Sequence, residues 1–288
     1  MNVNKPLYQK LLNQERLNFW LTNRIPRVLF TRAMGWLSKV RHPWVARPAI
    51  ALWKKFSELD LQDSAESEFE SLHDCFVRRL KPGARPFDGS RDALCSPCDS
   101  IVGTHGLVRN GELLQIKGMV YRLSELLKSE STAQACEGYS YVTLRLTSTM
   151  YHHFHAPHDV HLRSLQYIHG DVWNVNPPTL KRVPSLFAKN ERAVIRMGLA
   201  ETGAQMWLVP VAAVLVASMR FTFSDVHLHL GYRGPEVTEL DVRLSKGEEM
   251  GWFEHGSTII CFVPPGWNWV GPEAGCTIKA GRPLWRRS

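Results

Sequence analysis

Three places in this 288-residue chain combine residue types that can do chemistry. The densest is Tyr151-His152-His153-Phe154-His155-Ala156-Pro157-His158-Asp159-Val160-His161, where five of the twelve histidines fall within ten residues. Imidazole titrates near neutral pH and can serve as base, acid or metal ligand. In an extended segment side chains alternate, so His153 and His155 share one face and His152 points to the other. Spacing alone leaves three uses open: a metal site completed by an acidic residue, an acid–base pair, or polar histidines in a loop. The second place is Ser96-Pro97-Cys98-Asp99-Ser100, where a lone Asp after Pro-Cys is more often a turn former than a catalyst. The third is Gly256-Ser257. A serine after glycine can attack the preceding carbonyl if a base removes its proton, and glycine, lacking Cβ, leaves that carbonyl open. An Asp–His pair would activate the hydroxyl. Taken alone, a Gly-Ser pair is usually a turn before a strand.

The elements that must position these residues divide into two kinds. Residues 1–57 mix apolar and basic residues at helical spacing, with Leu17, Phe19, Trp20 and Leu21 before Pro26 and Val28, Leu29, Phe30, Met34, Trp36 and Leu37 after it. Prolines 26, 43 and 48 are expected to break this segment into short helices. Further on, Phe69, Leu72, Phe76 and Leu80 recur at helical spacing, which predicts one more amphipathic helix. From about residue 83 the segments shorten and Gly and Pro punctuate them. Val142, Leu144 and Leu146 alternate with polar or aromatic neighbours, as do Val226, Leu228 and Leu230, and both runs read as half-buried strands. Ile259 to Val263 reads as a fully buried strand. The expected class is therefore α+β: N-terminal membrane-facing helices over residues 1–57, then a β-rich catalytic domain over 58–288.

Charge follows the same division. Residues 1–57 carry eleven Lys and Arg against a single acid, Glu15, although the whole chain has a net charge of only +8. The attraction for anions therefore belongs to the N-terminal module. Basic side chains interleaved with Trp, Phe and Leu suit a helix lying in an anionic lipid interface, and no nucleic-acid motif accompanies the charge. The longest apolar run, Met206 to Met219, contains Pro210 and is too short to span a bilayer. Six cysteines without a secretory signal point to free thiols in a reducing compartment. Cys95 and Cys98 have the spacing of a redox pair or half a zinc site, but no second such pair follows.

Taken in order, several short segments resemble the phosphatidylserine decarboxylase family. They are Phe76-Val77-Arg78 with Arg85-Pro86-Phe87-Asp88; Ser96 to Ser100; Gln115-Ile116-Lys117-Gly118; and Tyr151 to Pro157. Gly170-Asp171 with Val175-Asn176-Pro177, Leu186 to Arg192, and Lys246 to Phe253 leading to Gly256-Ser257-Thr258 complete the set. The first 57 residues match only loosely. The resemblance implies a self-processing enzyme. Asp99 and His155 would be the acid and base of a triad acting on Ser257. Cleavage at Gly256-Ser257 would give a β chain, 1–256, and an α chain, 257–288, whose first residue becomes a pyruvoyl cofactor. The amine of phosphatidylserine would form a Schiff base there and lose CO2, with His152 at the substrate as proton source, and no metal would be needed. It further implies a homodimer, attached peripherally to the cytoplasmic face of a bacterial inner membrane, with the mitochondrial inner membrane the weaker choice. A different amino-acid or serine-lipid substrate, or a non-cleaving lipid-binding relative, are the alternative readings. The chain departs from the family pattern at Met150, commonly Asp, at His255, often Leu, and at Ala212 and Ala217, often Gly.

Overall fold

The computed structural model describes residues 27–57, 59–116, 118–214, 218–229, 231–254 and 258–288. Lys117, Ala217, Leu230, His255, Gly256 and Ser257, together with the apolar positions before Arg27, lie outside the described residues.

Most of the chain is strand. An eight-stranded antiparallel sheet has the order β12 (Val237–Leu244), β7 (Val160–Ile168), β8 (Arg192–Leu199), β9 (Gln205–Val211), β14 (Thr258–Val263), β5 (Ser140–Arg145), β2 (Ser100–Leu107) and β16 (Thr277–Ile278). A four-stranded sheet has the order β11 (His227–His229), β10 (Ser218–Phe221), β13 (Glu249–Phe253) and β6 (His153–His155). A three-stranded sheet joins β1 (Ala93–Cys95), β17 (Pro283–Arg287) and β15 (Trp267–Trp269), and β3 (Glu112–Ile116) pairs with β4 (Met119–Arg122).

Alternation along the central strands builds two cores. Val142, Leu144, Ile259 and Cys261 face one core, which Phe154, Phe221, Met250 and Phe253 of the four-stranded sheet close from the other side. Tyr141, Ile260 and Phe262 face the second core, covered by short helical segments that supply Leu126, Ala133, Leu180 and Phe187. Ile259 to Val263 is thus buried on both faces, as its unbroken apolar run predicts.

Among the described residues two longer helices precede the sheets: α1 (Arg27–Ser38) and α2 (Pro43–Phe56). Pro43 opens α2, where its missing N–H costs nothing. Pro48, expected to break the segment, lies inside α2. The carbonyl its ring deprives of a partner belongs to Trp44, an exposed residue, so water can satisfy it. Leu29, Trp36, Trp44 and Leu52 of these helices are exposed. Among the described residues no helix is long and apolar enough to cross a membrane.

The helix expected from Phe69 to Leu80 shrinks to one turn, α3 (Leu72–Phe76), capped by Ser71, whose Oγ accepts from Asp74 N–H at 3.0 Å. Arg78 ends it. Its buried guanidinium donates to Cys75 O at 3.2 Å and to Thr149 O at 2.8 Å, and Leu80 then leaves to pair with Ser64.

Candidate active site

β6 is an edge strand held by β13, with Trp252 opposite His153 and Glu249 opposite His155. Phe154 between the histidines is fully buried in the first core, so His153 and His155 face the other way together, as strand alternation requires. The Tyr151 ring lies parallel to His153 at 4.9 Å and close to His155 at 5.8 Å.

The protonation pattern of His155 follows from its partners. Its Nδ1 is 2.9 Å from Gly247 O, and a carbonyl only accepts, so Nδ1 carries the hydrogen. Nε2 is then a lone pair, facing the Tyr151 hydroxyl at 3.2 Å. Burial lowers the His155 pKa, and burial also raises that of Tyr151, so the pair rests as neutral imidazole and donating phenol. Gly247 has φ +85, and a Cβ there would meet the Phe87 ring at 3.0 Å, so glycine is needed to bring this carbonyl to the imidazole.

Asp99 sits at the junction of β1 and β2, with only 7% of its surface exposed. Arg85 grips both carboxylate oxygens, donating from Nε at 2.8 and 3.0 Å and from Nη2 at 2.6 Å. Ala280 N–H donates to Oδ1 at 2.9 Å. Burial works against the Arg85 charge, but its bonds to Asp99 and Asp63 outweigh this and push its pKa up. Among the described residues no hydrogen bond joins Asp99 to His155. The orientation expected from Asp99 is supplied instead by the Gly247 carbonyl, and Asp99 acts on the imidazole through space.

His152 points away from the pair and is fully buried. Its Nδ1 donates to Met150 O at 2.8 Å, and the Phe76 ring packs on it at 4.0 Å. The loop that Met150 occupies is held through its main chain, by Met150 N–H to Thr147 O at 3.1 Å and by the Arg78 guanidinium to Thr149 O, so it does not depend on a carboxylate at position 150. His153 bonds Val77 O at 3.0 Å and lies 3.2 Å from Glu249. Burial opposes the Glu249 charge, but the His153 bond holds its pKa below the usual value. Among the described residues no three His, Cys, Asp or Glu side chains converge to hold a metal ion. Cys95 and Cys98 are free, buried thiols, both pushed up in pKa by burial.

The remaining motif residues are scaffold or neighbours of the site. Gln115 bonds the carbonyls of Leu180 and Val183 and the N–H of Leu186. A Cβ on Gly170 would lie 2.5 Å from Lys189 O, so this backbone crossing requires glycine. Ala212 donates its N–H to Glu191 O and accepts from Asn190 Nδ2 at 2.8 Å, which fixes the end of β9 beside Thr258. Sequence reasoning missed the Gly247 carbonyl, Glu249 and the isolated carboxyl of Glu191. All three stand inside segments it did single out; the partners of Gly247 and Glu249 lie far away in sequence, and the Glu191 carboxyl has none among the described residues.

Cleavage-site residues Gly256 and Ser257 fall outside the described residues, but both flanks are placed. Glu254 follows β13 in the four-stranded sheet, and Thr258 opens β14 in the eight-stranded one. The two sheets that carry the histidines and the central strand are therefore joined through positions 255–257.

Comparison with known proteins gives a consistent result. A family model described as phosphatidylserine decarboxylase matches residues 72–286. A phosphatidylserine decarboxylase proenzyme of Brevibacillus brevis is 34% identical over 271 residues, covering 92% of this chain and 95% of that protein. Proenzymes of the same description from Aliivibrio salmonicida, 33% identical, and Methylococcus capsulatus, 31% identical, cover 87% and 90% of this chain and 90% and 93% of their own lengths.

Proposed function

The chain belongs to the phosphatidylserine decarboxylase family and is a carboxy-lyase converting phosphatidylserine to phosphatidylethanolamine; we propose that it does so with a pyruvoyl group made from its own Ser257. The observation that carries this reading is the neutral imidazole of His155, with its lone pair on Nε2, locked by the Gly247 carbonyl on the strand that pairs with β13.

In this reading His155 Nε2 takes the proton of the Ser257 hydroxyl, and the freed oxygen attacks the Gly256 carbonyl. The peptide becomes an ester, and elimination releases residues 1–256 with a new carboxylate end. The dehydroalanine left at 257 takes up water and loses ammonia, leaving the pyruvoyl group at the start of residues 257–288. Asp99, fixed by Arg85 and Ala280, stabilises the imidazolium formed when His155 accepts the proton.

The residues nearby fit a small carbonyl cofactor at 257. Thr258 is fully buried with a side-chain oxygen that has no hydrogen bond among the described residues, and burial keeps His155 toward the neutral form. The pyruvoyl group supplies a carbonyl electron sink for the electron pair left when CO2 departs. His152 returns a proton at that carbon.

The route to His152 fits a lipid. An apolar groove of about 490 Å³ runs between α1, α2 and α3, lined by Met34, Leu37, Ala49, Leu52, Trp53 and Phe76. Phe76 is the residue packed on the His152 ring. We assign the groove to the acyl chains and the exposed Trp36 and Trp44, with their basic neighbours, to an anionic membrane surface. Residues 1–57 would thus be the lipid-facing module of a catalytic domain over 58–288, in a homodimer on the cytoplasmic face of a bacterial inner membrane.

Intact-mass measurement of purified protein tests the cleavage. Two fragments are expected, the smaller starting at residue 257 and blocked at its N-terminus. Ser257→Ala should remain one chain. A single uncleaved chain in a preparation that releases CO2 from phosphatidylserine overturns the pyruvoyl reading.

A further inference from the structure

One row of the eight-stranded sheet crosses the position where β14 begins. Its members, in register, are Arg192 on β8, Val211 on β9, Thr258 on β14, Arg145 on β5 and Ile101 on β2. By strand alternation Thr258 lies on the face of Ile260 and Arg145 on the face of Tyr141, both in the second core. Two arginines therefore occupy the same row on one face, and they are treated in opposite ways.

Arg192 is 1% exposed and fully occupied. It donates to the carbonyls of Leu126, Ala188, Asn190 and Glu125 at 2.6–2.8 Å. Arg145 is half-buried, and among the described residues its guanidinium has no hydrogen bond, ion pair or ring contact. Burial lowers its pKa with no acid nearby to offset the cost. Thr258, directly opposite Arg145, is fully buried, and its Oγ1 also lacks a hydrogen-bond partner. Leaving a buried hydroxyl without a hydrogen bond is unfavourable. A half-buried five-donor fork with no protein partner, in register opposite a buried hydroxyl without one, is the donor set that an anion with several oxygens would complete.

We propose that Arg145 and Thr258 seat the phosphodiester of the lipid headgroup. The assignment rests on the phosphatidylserine reading of the function, and two arguments select the phosphodiester over the substrate carboxylate. Thr258 follows the residue that would hold the substrate amine, and the phosphorus lies only a few bonds from that amine. The carboxylate leaves as neutral CO2, so a cation bound to it would stabilise the ground state more than the transition state. The phosphodiester keeps its charge throughout, and binding it favours the reaction without opposing the step. The seat makes Arg145 and Thr258 specificity-determining for a phosphorylated serine rather than for free serine.

The test separates binding from turnover. Full-length Ser257→Ala chain is titrated calorimetrically with glycerophosphoserine and, separately, with inorganic phosphate, with and without Arg145→Met. The expected result is a loss of about 10-fold or more in glycerophosphoserine affinity with Arg145→Met, partly restored by Arg145→Lys. In the processed enzyme, Arg145→Met should raise KM for phosphatidylserine in mixed micelles by about 10-fold with kcat within about threefold, and should abolish competition by inorganic phosphate. Unchanged KM with unchanged phosphate competition overturns the proposal. Phosphate binding without glycerophosphoserine binding overturns the lipid assignment in favour of a free-phosphate site. Should Arg145→Met fail to fold, the near-isosteric Thr258→Val is expected to raise KM about threefold, and an unchanged KM there is equally decisive. Wild-type protein that binds glycerophosphoserine through Arg145 but releases no CO2 from phosphatidylserine would refute the functional reading while leaving the anion seat intact.

Discussion

Asp99 and Glu191 are both buried carboxyls in motif segments, 7% and 2% exposed, and the protein treats them oppositely. Asp99 is saturated by a forked guanidinium and a main-chain N–H. Glu191 has no side-chain hydrogen bond or ion pair among the described residues, its Oε2 is sealed from water, and burial alone pushes its pKa up to about 8. Its main chain does structural work, bonding Asp171 O and Ala212 N–H, but its carboxyl is left alone. Burial by itself therefore does not decide charge. A guanidinium and a main-chain N–H grip one carboxyl, and the lack of any partner leaves the other a neutral acid at neutral pH.

The largest effect should come from making Asp99 resemble Glu191. Arg85→Met strands a buried carboxylate, a loss of about 3–5 kcal/mol when one partner of a buried pair is removed. Urea unfolding should show that drop, and self-cleavage, followed on gels, should fail. Adding Asp99→Asn should recover part of the stability by removing the stranded charge without restoring cleavage. Recovery of both would mean that Asp99 serves only to satisfy Arg85.

The converse change acts on Glu191. Its folded pKa, about 8, lies above the usual carboxyl value of 4.5. The folded state thus holds the proton to higher pH than the unfolded state does, and stability falls as pH rises from about 4.5 to about 8, then levels off. The decline amounts to a few kcal/mol. Glu191→Gln cannot ionise, so its stability relative to wild type should climb across that window. Thermal melts at pH 5 and pH 8.5 check this. A constant difference between the two proteins would mean that Glu191 is ionised and paired after all.

Much of the frame that holds these groups was readable from residue order. Val142 and Leu144 lie in a strand, although the central sheet position buries it on both faces rather than one, Ile259 to Val263 is buried on both faces, and Pro43 begins a helix. Those signals are local, set by side-chain periodicity and by a missing N–H. The failures are non-local. Phe69 to Leu80 has helical spacing, but Arg78 is captured by the carbonyl of Thr149, 71 residues away. Likewise the family resemblance singles out Asp99 and His155 as an acid and a base, but the group orienting His155 is a main-chain carbonyl 92 residues on, and Asp99 is turned toward Arg85. A main-chain acceptor has no residue type and leaves no mark in composition. The isolation of Glu191 is equally invisible, because it is the absence of a partner that only the packed structure defines.

The smallest effect concerns another buried acid, the Tyr151 phenol beside His155. Unlike Asp99 it offers His155 a direct bond, and unlike Glu191 it has a partner, so it tests whether contact or charge governs the imidazole. The hydroxyl donates to the Nε2 lone pair at 3.2 Å and so favours the neutral ring. Burial already lowers the His155 pKa, and the neutral form is the base that self-cleavage needs. Cleavage should therefore slow as pH falls through that lowered pKa. Tyr151→Phe removes the donor, favours protonation slightly, and should move this acid limb to higher pH by less than about one unit, with a rate loss under about 10-fold at neutral pH. The measurement is the pH dependence of cleavage in freshly synthesised precursor. A limb that moves to lower pH would mean that the Tyr151 hydroxyl had been accepting from a protonated Nε2, and that His155 rests as a cation held between two acceptors.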